Sequence, residues 1–211
     1  MTYSVKEIFY SLQGEGARTG RASVFCRFSG CNLWSGLERD RATAQCNFCD
    51  TDFIGVDGIG GGKFTTADAL ADEIDSYWPK SAQGVPYVVF TGGEPLLQLD
   101  SNLIEKLKAK GFEVAVETNG TLPAPEGIDW LCVSPKGKTQ LLIYKGDELK
   151  LVYPQTDALP ERFAELDFPH FYLQPMESEQ TEQNTAATMA YILANPQWRL
   201  SLQTHKMLAI R

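Results

Sequence analysis

The sequence predicts an α/β protein built as an incomplete, open barrel of the (β/α)6 type, with a mainly parallel sheet. Three observations predict it. Short apolar runs alternate with amphipathic helical stretches along most of the chain, the order that gives parallel strands joined by right-handed crossovers. Polar clusters close several of those runs, and ligand sites in such sheets are built at the carboxyl ends of strands. The length of 211 residues falls short of the roughly 250 that eight strand-helix units take, leaving room for about six.

Residues 3–10 and 23–29 are rich in β-branched and aromatic types and read as strands, joined by the Gly-rich turn LQGEGARTG. After a cysteine-bearing loop, GVDGIGGGK carries too many glycines to read as regular structure. TTADALADEIDSYW sets Ala67, Leu70, Ile74 and Tyr77 on one helical face, with Thr65 or Thr66 as N-cap. PYVVFTGG is an apolar run, DSNLIEKLKAKG an amphipathic helix ending at Gly111, and FEVAVETNG a further run. IDWLCVSP, ELKLVYP, FYLQPM and WRLSLQ continue the pattern, with helices expected near 160–166 and 182–194. The clusters Thr91–Glu94, Glu117–Asn119, Ser134–Lys136, Gln174–Glu177 and Gln203–His205 are expected to face one mouth. No linker or repeat interrupts the chain, so a single domain over 1–211 is expected. The two unclosed sheet edges need cover, from the first strand or from a partner subunit.

Composition narrows the function classes. A 43% hydrophobic, 22% charged chain can bury a core. Its formal charge of -8 repels phosphate backbones, which argues against broad nucleic-acid binding. The start, MTYSVKEIFYSLQGEG, lacks a signal-peptide pattern, and no segment is apolar long enough to span a bilayer. A cytoplasmic location is expected, where thiols stay reduced.

Five cysteines in a reducing compartment point to metal binding or catalysis sooner than to disulfides. Cys31, Cys46 and Cys49 crowd into the loop at 30–53, with 14 residues between the first two and two between the others. A CxxC pair offers two thiolates to a metal centre, and a third from the same loop makes a three-point attachment. Zinc would want a fourth ligand, which Cys26 can supply as C-x4-C-x14-C-x2-C. Cys26 alternates with Val24 and Phe28 in VFCRF, however, and Cys132 lies in the apolar DWLCVSP; both settings are those of small buried hydrophobes. A 4Fe–4S cluster held by three cysteines would instead leave one iron open to chelate a ligand.

The Cys46-Asn47-Phe48-Cys49 run resembles the C-x-aromatic-C ending of radical S-adenosylmethionine enzymes, although their usual spacing of three residues is here expanded to 14. With that expansion, SLQGEG, FCRFSGCNLW, CDTDF, TGGEP, ETNG, SPK, QPM and QTHK together resemble the 7-carboxy-7-deazaguanine synthase family over nearly the whole chain. The resemblance implies a lyase that abstracts hydrogen from C6 of 6-carboxy-5,6,7,8-tetrahydropterin, contracts the ring and loses ammonia to give 7-carboxy-7-deazaguanine, a queuosine precursor. Its cofactors would be a 4Fe–4S cluster on Cys31, Cys46 and Cys49, S-adenosylmethionine, and Mg2+ on Thr51. S-adenosylmethionine would be contacted by Phe48, Gly93, Glu94, Ser134, Pro135, Lys136, Gln174, Pro175, Met176 and Glu177. The pterin would meet Leu12, Gln13, Gly14, Glu15, Arg27, Thr91, Glu117, His205 and the terminal Arg211, with Asn119 beside Glu117.

Those roles suit the chemistry. Gly92 and Gly93 permit close backbone approach, and Glu94 can accept from an ammonium. Gln13 and Glu15 can accept from a pterin amine edge, and Arg27 offers a bidentate partner for a carboxylate. A threonine hydroxyl with substrate oxygens suits Mg2+. A homodimer and an external one-electron donor of the flavodoxin kind are implied as partners. Competing readings are a zinc-ribbon module, an activase of the radical family acting on a partner protein, and an electron-transfer protein with a cluster but no radical chemistry. His170 reads as structural.

Overall fold

The apolar runs become the strands of one sheet in the computed structural model, which describes residues 2–211. In chain order these are β1 (Tyr3–Leu12), β2 (Ala22–Phe28), β3 (Gly62–Phe64), β4 (Tyr87–Gly92), β5 (Glu113–Thr118), β6 (Trp130–Val133), β7 (Glu148–Tyr153), β8 (His170–Pro175) and β9 (Trp198–Leu200). Their spatial order is β3-β1-β2-β4-β5-β6-β7-β8-β9. From β2 to β9 every pairing is parallel, while β1 runs antiparallel to both β2 and β3. The sheet does not close, since β3 and β9 are its two edges.

Four helices accompany it: α1 (Ala67–Tyr77), α2 (Ser101–Ala109), α3 (Thr181–Ala194) and the short α4 (Thr204–Met207). Thr66 caps α1 by accepting from Ala69 N at 3.1 Å, and Asp100 caps α2 by accepting from Leu103 N at 2.9 Å. α2 gives way at Gly111, whose φ of +86° is left-handed. The apolar stripes of α1 and α2, with Leu70, Ile74, Leu103 and Leu107, pack on Val88, Phe90, Val114 and Val116. The alternate residues Tyr87, Val89 and Ala115 form a separate cluster on the opposite face with Phe25 and Trp130. Both faces of the central strands are thus covered, as parallel sheets require.

Several expectations need correction. The open α/β barrel with its mainly parallel sheet forms as expected, but the connections β5–β6 and β6–β7 contain no helix, and β7–β8 contains only a turn at Pro160–Arg162 in place of the helix expected near 160–166. That stretch is anchored by burying Phe163 against Leu149 and Leu151, which fixes one turn without extending it. Glycine-rich GVDGIGGGK does yield structure at its end. Gly58 N donates to Lys6 O at 3.0 Å and Ile8 N to Ile59 O at 2.8 Å, so small residues let the segment lie close on β1 and then pair as β3. The first strand covers the β2 edge of the parallel strands, as expected, and is itself covered by β3, which lies outermost. Among the described residues no helix is long and apolar enough to cross a membrane.

Candidate active site

A cavity of about 380 Å³ opens at the carboxyl ends of the parallel strands. Strand alternation decides which side chains reach it. Phe25 and Arg27 of β2, Thr91 of β4, Glu117 of β5, Lys150 of β7 and Gln174 of β8 all project to the face opposite the α1–α2 core and line the cavity. All five polar clusters contribute to this one wall.

Cys31, Cys46 and Cys49 line one side with Phe48 and Thr51. A 3-10 turn at Glu38–Thr43 occupies the long insertion between the first two cysteines. Arg41 fastens that turn by stacking 4.1 Å from the Trp34 ring centroid and donating to the carbonyls of Asn47 and Cys49, each at 3.0 Å. A hydrogen bond from the Cys46 thiol holds Cys49 down at about 6, and the same bond together with burial pushes Cys46 up. Burial raises Cys31 in the same way. Cys26 is fully buried in the α1–α2 core and remote from this wall, which overturns the four-cysteine zinc arrangement. Cys132 is buried as well, its thiol 3.6 Å from Glu148 Oε1.

Gly93 lies against the start of the cysteine loop. A Cβ there would overlap Gly30 O and come within 2.7 Å of Cys31 Cβ, and the adjoining Glu94 N donates to Gly30 O at 2.9 Å. Gly92 has φ of +139°, a conformation open chiefly to glycine.

Two expected residues do not reach the cavity. Glu94 is fully buried behind the wall, where its carboxylate accepts from Leu96 N at 2.9 Å, Thr118 Oγ1 at 2.7 Å and Asn119 N at 2.7 Å. Burial raises its carboxyl and those three donors oppose the rise. Its oxygens are taken up in joining β4 to β5, so it supports the wall without facing a ligand. Pro135 is likewise not a lining residue, whereas Ser134 and Lys136 on either side of it are, hydrogen-bonded to each other.

Across the cavity lie Leu12, Gln13, Gly14 and Glu15, then Arg27, Thr91, Glu117, His205 and Arg211. Arg27 Nε meets Glu7 Oε1 at 2.9 Å, and Arg211 approaches the other Glu7 oxygen at 3.7 Å. Gly14 is tight against α4: a Cβ would lie 3.0 Å from His205 Cβ, while Thr204 N donates to Gly14 O at 3.0 Å. Gln174, Pro175, Met176 and Glu177 complete the rim.

Sequence reasoning missed two lysines here. Lys150 is 4% exposed and bridges Glu15 and Glu117. Lys206 joins Asp50 of the cysteine loop at 2.7 Å to Glu177 after β8, strapping α4 over the mouth. For Lys150 a signal existed in ELKL, where Glu148 and Lys150 alternate with leucines and so must share one face.

An open parallel barrel with three cysteines on a loop at its mouth defines the radical S-adenosylmethionine class, and a profile of the Radical SAM superfamily matches residues 40–141. The 7-carboxy-7-deazaguanine synthase of Bordetella pertussis is 61% identical over 210 residues, and that of Bradyrhizobium diazoefficiens 60% identical over 211, each alignment spanning 100% of both chains. The crystal structure of QueE from Escherichia coli superposes with a TM-score of 0.71 at 26% identity, covering 96% of this chain and 94% of that one. The chain belongs to the family of 7-carboxy-7-deazaguanine synthases.

Membership implies a 4Fe–4S cluster and S-adenosylmethionine, and the residues present fit both. Among the described residues no three His, Cys, Asp or Glu side chains converge on a single-ion position. The three thiols line one side of the cavity with Cys46 hydrogen-bonded to Cys49, a three-cysteine donor set of the kind that holds an iron–sulfur cluster. Next to them the bare Gly92–Gly93 backbone leaves space for a ligand to approach.

Proposed function

We propose that the protein is a radical S-adenosylmethionine lyase that converts 6-carboxy-5,6,7,8-tetrahydropterin to 7-carboxy-7-deazaguanine with loss of ammonia, on the route to queuosine. The observation that carries this reading is the meeting, in one cavity, of a three-cysteine wall with an acceptor-rich wall formed by Gln13, Glu15 and Glu117.

Cys31, Cys46 and Cys49 would hold the cluster, leaving one iron for the amino and carboxylate groups of S-adenosylmethionine. When bound, this pair supplies one-electron cleavage of the sulfonium bond and the hydrogen-abstracting power that follows. The chain's own residues bind, orient and exclude water. Phe48, Gly93, Ser134, Lys136 and the stretch Gln174–Glu177, all of which line the cavity, would hold S-adenosylmethionine, while Glu94 braces that wall from behind. Thr51 would offer its hydroxyl to Mg2+, whose remaining positions would take substrate oxygens and water. Arg27 presents a guanidinium to the substrate carboxylate, and Gln13, Glu15 and Glu117 accept from the amine edge of the pterin. His205 and Arg211 close the cavity from the C-terminal side. Fixing the pterin this closely converts the abstraction into a step between held partners.

The chain would act as one catalytic unit over 1–211, in the cytoplasm, as a homodimer served by a flavodoxin-like electron donor. Anaerobic turnover with the tetrahydropterin, S-adenosylmethionine, Mg2+ and dithionite tests the reading. Product should form with the native chain and vanish in Cys49→Ala, and activity surviving in that variant would refute it.

A further inference from the structure

Lys150 sits on a central strand of the sheet with its side chain 5% exposed, yet it lines the cavity. Its ammonium donates to Glu15 Oε2 at 2.6 Å and to Glu117 Oε2 at 3.3 Å. Each carboxylate turns its other oxygen to an amide: Glu117 Oε1 accepts from Gln13 Nε2 at 2.9 Å, and Glu15 Oε1 accepts from Gln203 Nε2 at 3.0 Å. Gln13 Oε1 in turn accepts from Glu15 N at 3.1 Å. One cation therefore sets the geometry of three acceptor side chains contributed by the loop after β1 and by β5.

Two carboxylates cannot both stay ionised in so enclosed a place without a counter-charge. The groups facing Lys150 are Glu15, Glu117 of β5, Cys132 of β6 and Glu148 of β7, with Tyr172 paired beside it on β8 and His205 of α4 beyond Glu15. Glu148 is engaged elsewhere, accepting from Ala17 N at 3.0 Å, and burial raises its carboxyl. Burial alone would lower Lys150 and raise Glu15; the charges of Glu117 and Glu15 reverse the first, and the Lys150 ammonium with the Gln203 hydrogen bond reverses the second, so that Lys150 rises and Glu15 falls.

We propose that Lys150 is a positioning residue for the pterin site: one buried ammonium aligns Glu15 and Glu117 as paired acceptors, so that the cavity selects the donor-rich edge of a flat aminoheterocycle. This deepens the function proposed above and rests on it. Lys150 acts through the two carboxylates and Gln13, without touching the reacting atoms.

The test is equilibrium binding of fluorescent pterin-6-carboxylate to the reconstituted protein, read by anisotropy from about pH 5.5 to about pH 7.5. The quantity compared is the ratio of variant to native Kd at each pH. Lys150→Met should weaken binding about tenfold near neutrality and progressively more as pH falls, because Glu15, without its counter-charge, gains a proton that it refuses in the native protein. Lys150→Arg, which keeps the charge, should restore a flat ratio. A flat ratio near one for Lys150→Met overturns the proposal. If Lys150→Met does not fold, Lys150→Met/Glu117→Gln takes its place, measured against Glu117→Gln alone. A steeper pH dependence in the double variant supports the role, and equal profiles overturn it. Native protein that binds the probe with this dependence on Lys150 but makes no product removes the proposed reaction alone, whereas normal product formation with no dependence on Lys150 removes only the positioning role.

Discussion

A single methyl group separates Gly93 from alanine, and the packing has no room for it. The added carbon would overlap Gly30 O and press on Cys31 Cβ, so the start of the cysteine loop would have to shift. Overpacking of this sort costs roughly 1–3 kcal/mol. Gly93→Ala is expected to keep its circular dichroism and to lose bound iron after reconstitution, measured as iron per chain; full iron loading would show that the loop can yield. The motif TGGEP announced its glycines and its glutamate, yet only the coordinates distinguish their tasks. Glu94 looks like a ligand in sequence because a carboxylate after two glycines closes a strand. Its partners at Leu96, Thr118 and Asn119 consume it, and two of those lie beyond the reach of a local pattern. The alternation in ELKL shows which face Lys150 takes, but its partners Glu15 and Glu117 lie 135 and 33 residues away, beyond any local pattern.

The helices that formed as expected carry their own start signals. Asp100 accepts from Leu103 N and also from Tyr3 Oη, at 2.8 and 2.9 Å to its two oxygens, so one carboxylate both opens α2 and ties it to β1. Loss of a cap and of a half-buried hydrogen bond together costs about 1–3 kcal/mol. Asp100→Ala should lower the urea midpoint accordingly with little change in slope, and an unaltered midpoint would mean that neither bond contributes. Period and capping made α1 and α2 legible, along with the strands of the parallel sheet. What they could not disclose was β3, which exists through backbone pairing of Gly62–Phe64 with Tyr3–Val5, or the absence of helices after β5 and β6. A barrel strand needs only a connection that returns to the other end, and a loop serves when burial is supplied by neighbours such as Leu141 and Ile143.

The charged cluster beneath the cavity joins the first turn of the chain, two central strands and the C-terminal helix, so its titration bears on how the protein as one body responds to acid. Glu15 is held below its ordinary value of 4.5 against burial, mainly by Lys150. A depressed carboxylate contributes stability that is fully present above its unfolded pKa and lost as pH falls through the folded value. The stability advantage of the native chain over Glu15→Gln should therefore be full at about pH 7 and shrink once pH drops below about 4.5, as unfolding titrations at each pH would show. A gap independent of pH would mean that Glu15 is not ionised in the fold. Lys150 shifts the other way, and its contribution is complete below its ordinary 10.5 and fades only above it.

The same lysine constrains how the polypeptide assembles as it leaves the ribosome. Its acidic partners, 135 and 33 positions earlier, are synthesised first and remain hydrated until β7 emerges. A strand bearing a cation cannot enter a dry interior before its counter-charges are there to receive it. The loop after β1, β5 and β7 must accordingly bring their charges together as they are buried.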